Sequence, residues 1–240
     1  MREPLERSLE RSLDAPDSKR RYARRLFATI ADRYDLITVL LSFGRDRRWK
    51  QRVADLAAVQ TDDRVLDLAC GTGDLAFESA RRGGYVIGLD ITERMIDLAR
   101  AKGRGPSWVV ADMGALPVAG ASMSVVTTGY GLRNVPDLSR AIGEIFRVLG
   151  PGGRLVSLDF DRPEARVIRA IYLGYLTVVG STLGWLLHRD PDTYRYIPES
   201  IRRYPGARGL VALLEKAGFS DVRHVRVLGG LMAIHVARKP

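Results

Sequence analysis

A single cysteine, Cys70, leaves this chain without an internal disulfide, and with only three histidines it shows no cluster spaced to hold a metal ion. There is no apolar run near the start either. Met1 to Arg25 is dominated by Arg, Glu, Ser and Asp, so the sequence predicts no secretory signal and a reducing, cytoplasmic setting. Aromatic residues make up 8% and are not interleaved with basic ones, which argues against a single-strand nucleic-acid platform. What is abundant is positive charge. The net charge of +10 favours an anionic partner or surface, nucleic acid or a lipid headgroup layer, and by itself does not choose between them. With 46% hydrophobic and 28% charged residues, the 240-residue chain reads as an ordinary globular protein with a sizeable core.

The chain opens with a small repeat, Leu5-Glu6-Arg7-Ser8 and Leu9-Glu10-Arg11-Ser12, which is expected to belong to a flexible leader spanning residues 1–20. Residues 21–240 then read as one domain. Leu26, Phe27, Ile30, Ala31 and Tyr34 recur at helical spacing, and Arg47 to Leu56 places Trp49, Val53 and Leu56 on one helix face. From Asp63, apolar runs at Arg64–Leu68, Tyr85–Leu89, Ser107–Val110, Met123–Thr127 and Arg154–Leu158 alternate with helical stretches at Leu75–Arg82, Thr92–Ala101 and Asp137–Leu149. That alternation predicts an α/β fold with a doubly wound, mostly parallel sheet. After a helix at Gly209–Ala217, the runs Val222–Val227 and Leu231–Ala237 flank Gly229-Gly230 and predict a closing antiparallel hairpin. The hairpin favours the methyltransferase version of the architecture over the dinucleotide-binding one. Between about 160 and 205 the alternation stops. There the uncharged stretch Ala170–Leu187 just reaches spanning length, but three glycines, two threonines and a serine favour a buried or interfacial lid helix.

The strongest local signal is Val65 to Ala76, a strand running into a glycine-rich turn and then a helix. Gly71 and Gly73 let a ligand approach the backbone at the C-terminal edge of the sheet. Gly71, Gly73 and Ala76 also satisfy the dinucleotide pattern, with Asp90 following at about the ~20-residue distance of a ribose carboxylate. Charge separates the two readings. Asp67 and Asp74 flank the turn and would repel a pyrophosphate, whereas they complement the sulfonium and ammonium of S-adenosylmethionine. Asp90 is placed for the ribose hydroxyls, and Asp112-Met113 for the adenine. Asp67 also reads as a structural acid below the turn, Asp112 as a turn or cap, and Cys70 as a small packing residue.

Several further segments carry a family resemblance: Phe27 to Asp35, Leu41-Ser42-Phe43-Gly44 through Trp49, Gly131-Leu132-Arg133-Asn134-Val135, Arg147 to Leu155, Tyr194 to Ile201, and Gly229 to His235. From about Arg25 to Lys239 the sequence resembles the ubiquinone/menaquinone biosynthesis C-methyltransferases, the UbiE type. The resemblance implies a class I S-adenosylmethionine-dependent methyltransferase acting on a ring carbon of a polyprenylated quinol, either a demethylmenaquinol or a related benzoquinol. It implies cofactor contacts at Thr72, Asp90, Asp112, Met113 and Gly129, and an acceptor site shaped by Arg133, Asn134 and Tyr34. The chain departs from the family pattern at Thr38, Asp46, Gly129, Gly150, Asp159 and Asp161, changes that bear more on the acceptor than on the donor. A methyltransferase of this fold acting on another small acceptor is the alternative.

In this reading Arg133 stabilises the developing phenolate while Asn134 and Tyr34 orient the hydroxyl or a water. Structural roles stand beside these: Arg133 paired to an acid, Tyr34 as the last apolar residue of its helix, His235 as packing. Ala170–Leu187 is expected to line a groove for the prenyl tail. The arginines at 20, 21, 24, 25, 45, 47, 48 and 52 are expected to meet anionic lipid on the inner face of the cytoplasmic membrane. A homo-oligomer is compatible with the sequence; nucleic acid is not expected as a partner.

Overall fold

The computed structural model describes residues 15–240. The repeat at 5–12, and with it most of the expected leader, lies outside the described residues. The first helix, α1 (Pro16–Ile30), begins on a proline, whose fixed φ and missing N–H suit a first turn; residues 16–20 therefore belong to the helix and not to the leader. A 3-10 turn at Ala31–Arg33 leads into α2 (Tyr34–Leu41), so Tyr34 opens a helix and does not close one. Helix α3 (Asp46–Ala57) follows, buries Trp49 and Val53, and stops at Ala58 in the left-handed region.

The sheet is built from β1 (Arg64–Leu68), β2 (Tyr85–Asp90), β3 (Ser107–Val110), β4 (Met123–Gly129), β5 (Leu149–Phe160), β6 (Ser220–Val227) and β7 (Met232–Arg238). Its order is β3-β2-β1-β4-β5-β7-β6, parallel through β5 and antiparallel for the last two strands. This is the expected doubly wound sheet with a closing hairpin. β5 is longer than its apolar run predicts: Leu149 pairs with Met123 ahead of the Gly150 to Gly153 irregularity. Hence α6 (Leu138–Val148), capped by the Asp137 carboxylate on the N–H of Arg140, ends one residue early.

The period of two along β1 divides the core. Leu66 and Leu68 pack with α6 and α9 (Gly206–Lys216), whereas Val65 faces α3 and α4 (Asp74–Ala80). Asp67 falls on Val65's face, fully buried, in a strand flanked by β2 and β4. Between β2 and β3 runs α5 (Glu93–Lys102), and between β5 and α9 come α7 (Arg166–His188) and α8 (Tyr196–Arg203).

Helix α7 is long and apolar enough to cross a membrane by length and composition. Its inner face, however, is joined to the domain. Tyr172, Leu173 and Leu176 pack with Ile201, and Gly180 and Gly184 lie so close to the following segment that added Cβ atoms would meet Tyr194 Cβ at 3.2 Å and the Asp190 carbonyl at 2.4 Å. The outer face is exposed, so the helix is not the buried form of lid.

Candidate active site

The turn after β1 places Ala69 (φ +48°), Gly71 (φ +55°) and Gly73 (φ +85°) in the left-handed region, which brings α4 up against the C-terminal tips of the strands. A cleft of about 660 Å³ opens beside that turn. It is lined by Gly71, Asp90, Asp112, Met113, Gly129 and Asn134, together with Tyr130 and Gly131. Five of the eight expected cofactor residues thus converge on one space.

Their local geometry follows from backbone chemistry. Asp90 ends β2, is buried, and accepts the N–H groups of Gly71 at 2.9 Å and Thr92 at 2.8 Å; burial pushes its pKa up despite those bonds. Asp112 makes an Asx turn, accepting the Gly114 N–H at 2.8 Å, while its other oxygen meets Arg20 Nε at 2.9 Å. The turn reading of Asp112 is realised, and the residue also lines the cleft. Gly131 forms part of the wall because nothing larger fits: a Cβ there would lie 2.5 Å from Thr128 Oγ1 and 2.8 Å from Ala69 Cβ.

The other three fall elsewhere. Gly73 lies outside the cleft; its missing side chain admits the ring of Trp108, 2.3 Å from where a Cβ would stand. Thr72 turns away from it, its hydroxyl donating to Asp35 at 2.6 Å and accepting from Lys102 at 2.8 Å. Asp67 lies beneath the turn, as its structural reading implied. One oxygen accepts from Thr127 at 2.9 Å, the other is buried without a partner, and burial raises its pKa to about 7. Asp67 and Thr72 line a smaller hollow that shares Tyr34, Gly129 and Tyr130 with the cleft. Cys70, beside it, is a packing residue whose thiol burial holds well above its usual range.

Residues that sequence reasoning left out roof the cleft. Arg20, Ala23 and Phe27 of α1 line it, and Lys19 ties that helix down by donating to the carbonyls of Val135 at 2.6 Å and Arg133 at 3.2 Å. An orphaned carboxylate oxygen below the turn, a carboxylate at the tip of β2 and an apolar wall of Leu89, Met95 and Met113 fit a ligand with a cationic amino-acid end, a ribose and a flat base. S-adenosylmethionine has those parts.

A second cavity, of about 610 Å³, shares Phe27, Tyr34 and Tyr130 with the first. Its other walls are mostly apolar or aromatic: Leu26, Ile37, Trp49, Phe160, Tyr196 and Ile197 among them. Arg133 is the one cation lining it among the described residues. No residue of 170–187 lines it, which corrects the expected tail groove: α7 turns its apolar inner residues onto α8, and α1, α2 and the 193–197 segment form the wall instead.

Arg133 is buried and paired, as its structural reading proposed. Its Nη1 donates to Asp159 at 2.7 Å and to the Tyr130 carbonyl at 2.9 Å, and its guanidinium stands 4.7 Å from the Phe160 ring centroid. Burial opposes its charge, but Asp159 more than offsets this and holds the group above its usual range. Asn134 Nδ2 donates to the same Tyr130 carbonyl at 2.8 Å, leaving a buried Oδ1 without a partner. Tyr34 stands where both cavities and the small hollow meet, and burial raises its pKa to about 12. His235 is a packing residue: it lies on β7, buried, within hydrogen-bond distance of the Ala207 carbonyl at 3.0 Å.

Sequence reasoning missed a polar chain beneath Tyr130. The Tyr130 hydroxyl donates to Asp46, which pairs with Lys50 at 2.5 Å; Lys50 reaches Asp74 at 3.0 Å, and Lys102 bridges Asp74 and Asp35. The hints were the departure at Asp46 and Asp74 itself, which the sequence offered to a cationic ligand and which Lys50 and Lys102 hold instead.

A doubly wound sheet closed by an antiparallel hairpin, with acidic residues around a glycine turn at the strand tips, defines a class I S-adenosylmethionine-dependent methyltransferase. A solved S-adenosylmethionine-dependent methyltransferase from Thermotoga maritima has the same fold, with a TM-score of 0.66 at 19% identity, covering 91% of this chain and all of that one. The model of the ubiE/COQ5 methyltransferase family matches residues 15–239, and the chain belongs to that family. It is 42% identical over 221 residues to the demethylmenaquinone methyltransferase of Thermus thermophilus, covering 90% of this chain and all of the relative. It is 37% identical over 228 residues to the ubiquinone/menaquinone biosynthesis C-methyltransferase UbiE of Proteus mirabilis, covering 91% of each.

Proposed function

We propose that this methyltransferase transfers a methyl group to a ring carbon of a polyprenylated quinol in menaquinone or ubiquinone synthesis. The observation that carries the reading is the shared wall: an acid-lined cleft and an apolar, aromatic cavity meet at Phe27, Tyr34 and Tyr130, with Arg133 on the acceptor side. When bound, S-adenosylmethionine supplies an electrophilic methyl group on sulfur. Asp90, Asp112, Met113 and the backbone at Gly71 and Gly129 hold the donor from the cleft side, with Asp67 facing its cationic end from the adjoining hollow beneath the turn.

A quinol ring carbon becomes a competent nucleophile once its neighbouring hydroxyl loses a proton and the charge spreads into the ring. Arg133, fixed by Asp159, supplies positive charge for that oxyanion in a site shielded from water. The guanidinium is no base. Asn134 Oδ1 accepts from the hydroxyl or from the water that takes the proton, and Tyr34, neutral below a pKa of about 12, orients the ring. The apolar cavity takes the ring and the first part of the tail.

A greasy acceptor resident in a bilayer requires peripheral contact with the inner face of an anionic membrane. Exposed arginines at 21, 24, 25, 45, 47, 48 and 52 favour that contact, whereas Arg20 is spent on Asp112. Methyl transfer assayed with quinols carrying and lacking the prenyl tail tests the reading. Activity on tailed demethylmenaquinol or benzoquinol is expected; activity confined to a soluble, untailed acceptor overturns it in favour of another small-molecule substrate. Mass profiling of quinones in cells lacking the protein is expected to reveal the demethyl precursor and so to name the ring.

A further inference from the structure

A basic cleft lies apart from both cavities, between the first turn of α7, the start of α9 and the β6–β7 turn. About 1310 Å³ of open space there is bounded by Arg162, Arg169, Arg208, Arg226 and His224. The two carboxylates that also line it are already engaged. Asp161 Oδ1 accepts the backbone N–H groups of Ala207 and Arg162, each at 2.7 Å, and Glu164 pairs with Arg208 at 2.9 Å. Arg162, Arg169 and Arg226 are left with no carboxylate partner among the described residues. Three unpaired guanidiniums around one hollow raise its potential, and planar forks of donors match the oxygens of a phosphate.

A second observation says where that phosphate comes from. Ile168 lines the same cleft and stands at one end of α7's outward stripe, continued by Val167, Ile171, Val178 and Trp185, each more than half exposed. No charge interrupts that helix from 170 to 187. Phe43, just past α2, stacks on Tyr175 with centroids 6.1 Å apart and joins exposed Leu36, Val39 and Leu40 to the stripe. The inner residues of α2, Ile37 and Leu41, line the acceptor cavity. A helix with an apolar outer face and a basic end is built to lie in a headgroup layer.

We propose that the cleft of Arg162, Arg169 and Arg226 binds the phosphate of an anionic phospholipid while the outer faces of α7 and α2 enter the acyl boundary. This rests on the peripheral contact proposed above and assigns it to one face. A prenyl tail leaving the acceptor cavity past α2 then meets lipid.

Flotation with phosphatidylglycerol/phosphatidylcholine vesicles tests the assignment, with fatty-acid/phosphatidylcholine vesicles of equal surface charge for comparison. The full-length protein should prefer the phosphate-bearing vesicles, and Arg169→Gln/Arg226→Gln should weaken that binding on the order of ten- to thirty-fold. Arg64→Gln/Arg104→Gln, an equal charge loss at the start of β1 and in the loop before β3, away from the cleft, should stay within about threefold of wild type. Circular dichroism and melting of each variant establish that it is folded, and Arg162→Gln/Arg169→Gln gives a second route to the same cleft. If both cleft pairs bind as the Arg64/Arg104 pair does while Val178→Asp loses binding, the cleft assignment falls and peripheral docking stands. If wild type does not float with phosphatidylglycerol vesicles at low salt, both fall. If inorganic phosphate at matched ionic strength raises the melting temperature of wild type but not of the cleft variants, and displaces no vesicles, the cleft is a free-phosphate site and the lipid assignment is overturned.

Discussion

The Tyr130 hydroxyl donates to Asp46 Oδ1 at 2.7 Å, a buried bond across 84 residues of sequence that ties the wall between the two cavities to the head of α3. The consequence reaches beyond one bond, because the Tyr130 carbonyl holds both Arg133 and Asn134. Tyr130 also sits at φ +62°, a conformation that the surrounding contacts must maintain. Tyr130→Phe is expected to cost about 1–2 kcal/mol of stability by leaving Asp46 one donor short. It should also lower kcat more than it raises the donor KM, since the reacting partners are misplaced and not unbound. Unchanged melting together with unchanged kcat would show that the bond positions nothing.

The Arg133–Asp159 pair is sealed from solvent on both sides. Removing the carboxylate strands a guanidinium that cannot shed its proton; removing the guanidinium leaves a carboxyl that can take one. Asp159→Asn is therefore expected to destabilise by about 3–5 kcal/mol and Arg133→Met by less. Chemical denaturation of the two variants checks the order; the reverse order refutes the argument. Both should lose activity, and Arg133→Lys should recover little, because a shorter side chain ending in a compact ammonium does not reproduce the planar guanidinium that lies over the Phe160 ring while bonding Asp159.

If Asp67 faces the donor as proposed, donor binding is expected to be coupled to protons. Its pKa is raised by burial to about 7, against about 3.9 in an unfolded chain, so the folded protein holds the extra proton across that window. The proton stabilises the fold below about pH 4 by up to about 4 kcal/mol, and that stability is lost as pH rises toward 7. His235 works in the opposite direction: burial lowers its pKa to about 4, so stability is lost as pH falls from about 6.5 toward 4. Comparing Asp67→Asn with wild type isolates the first effect. A cationic donor favours the carboxylate, so calorimetry near pH 6.5 in buffers of different ionisation enthalpy should record proton release on S-adenosylmethionine binding, absent in Asp67→Asn. Binding without proton release in wild type would remove Asp67 from the donor site.

Gly73 is a packing position. Its alanine variant meets Trp108 and an unfavourable φ, so a loss of stability of about 1–3 kcal/mol is expected. Adding Trp108→Leu should return part of it. A donor-binding glycine would instead lose affinity that the second substitution leaves unrepaired.

The sheet and its closing hairpin were legible because β1, β2, β4 and the last two strands are short apolar runs punctuated by glycine and by helical periodicity. The strand limits at Arg64–Leu68 and Ser107–Val110 needed no revision. The Leu149 end of β5 was hidden because Gly150, Pro151, Gly152 and Gly153 read locally as a turn, while pairing with Met123 is a long-range fact. In the site, Asp90 and Asp112 were visible as acids at strand tips. Gly73 was not separable from Gly71, because the conformation they share conceals that one faces a cleft and the other an indole. Asp46 and Asp159 were visible as departures from the family pattern, but their partners were not: the roles of Asp159 and Tyr130 arise only when β4 and β5 lie side by side, and that of Asp46 only once α3 packs beneath them. Helix α7 was found as an element but given the wrong neighbour: an uncharged run does not say which of its faces is taken.

The roof over the proposed donor cleft is made by α1, whose Arg20, Ala23 and Phe27 come from a segment well before the first strand. The donor site is accordingly not a transferable module of the sheet and its turns. Grafting β1 through β4 onto another scaffold without Pro16–Ile30 would carry over the floor and one side of the chamber, and leave the bound nucleoside open to water.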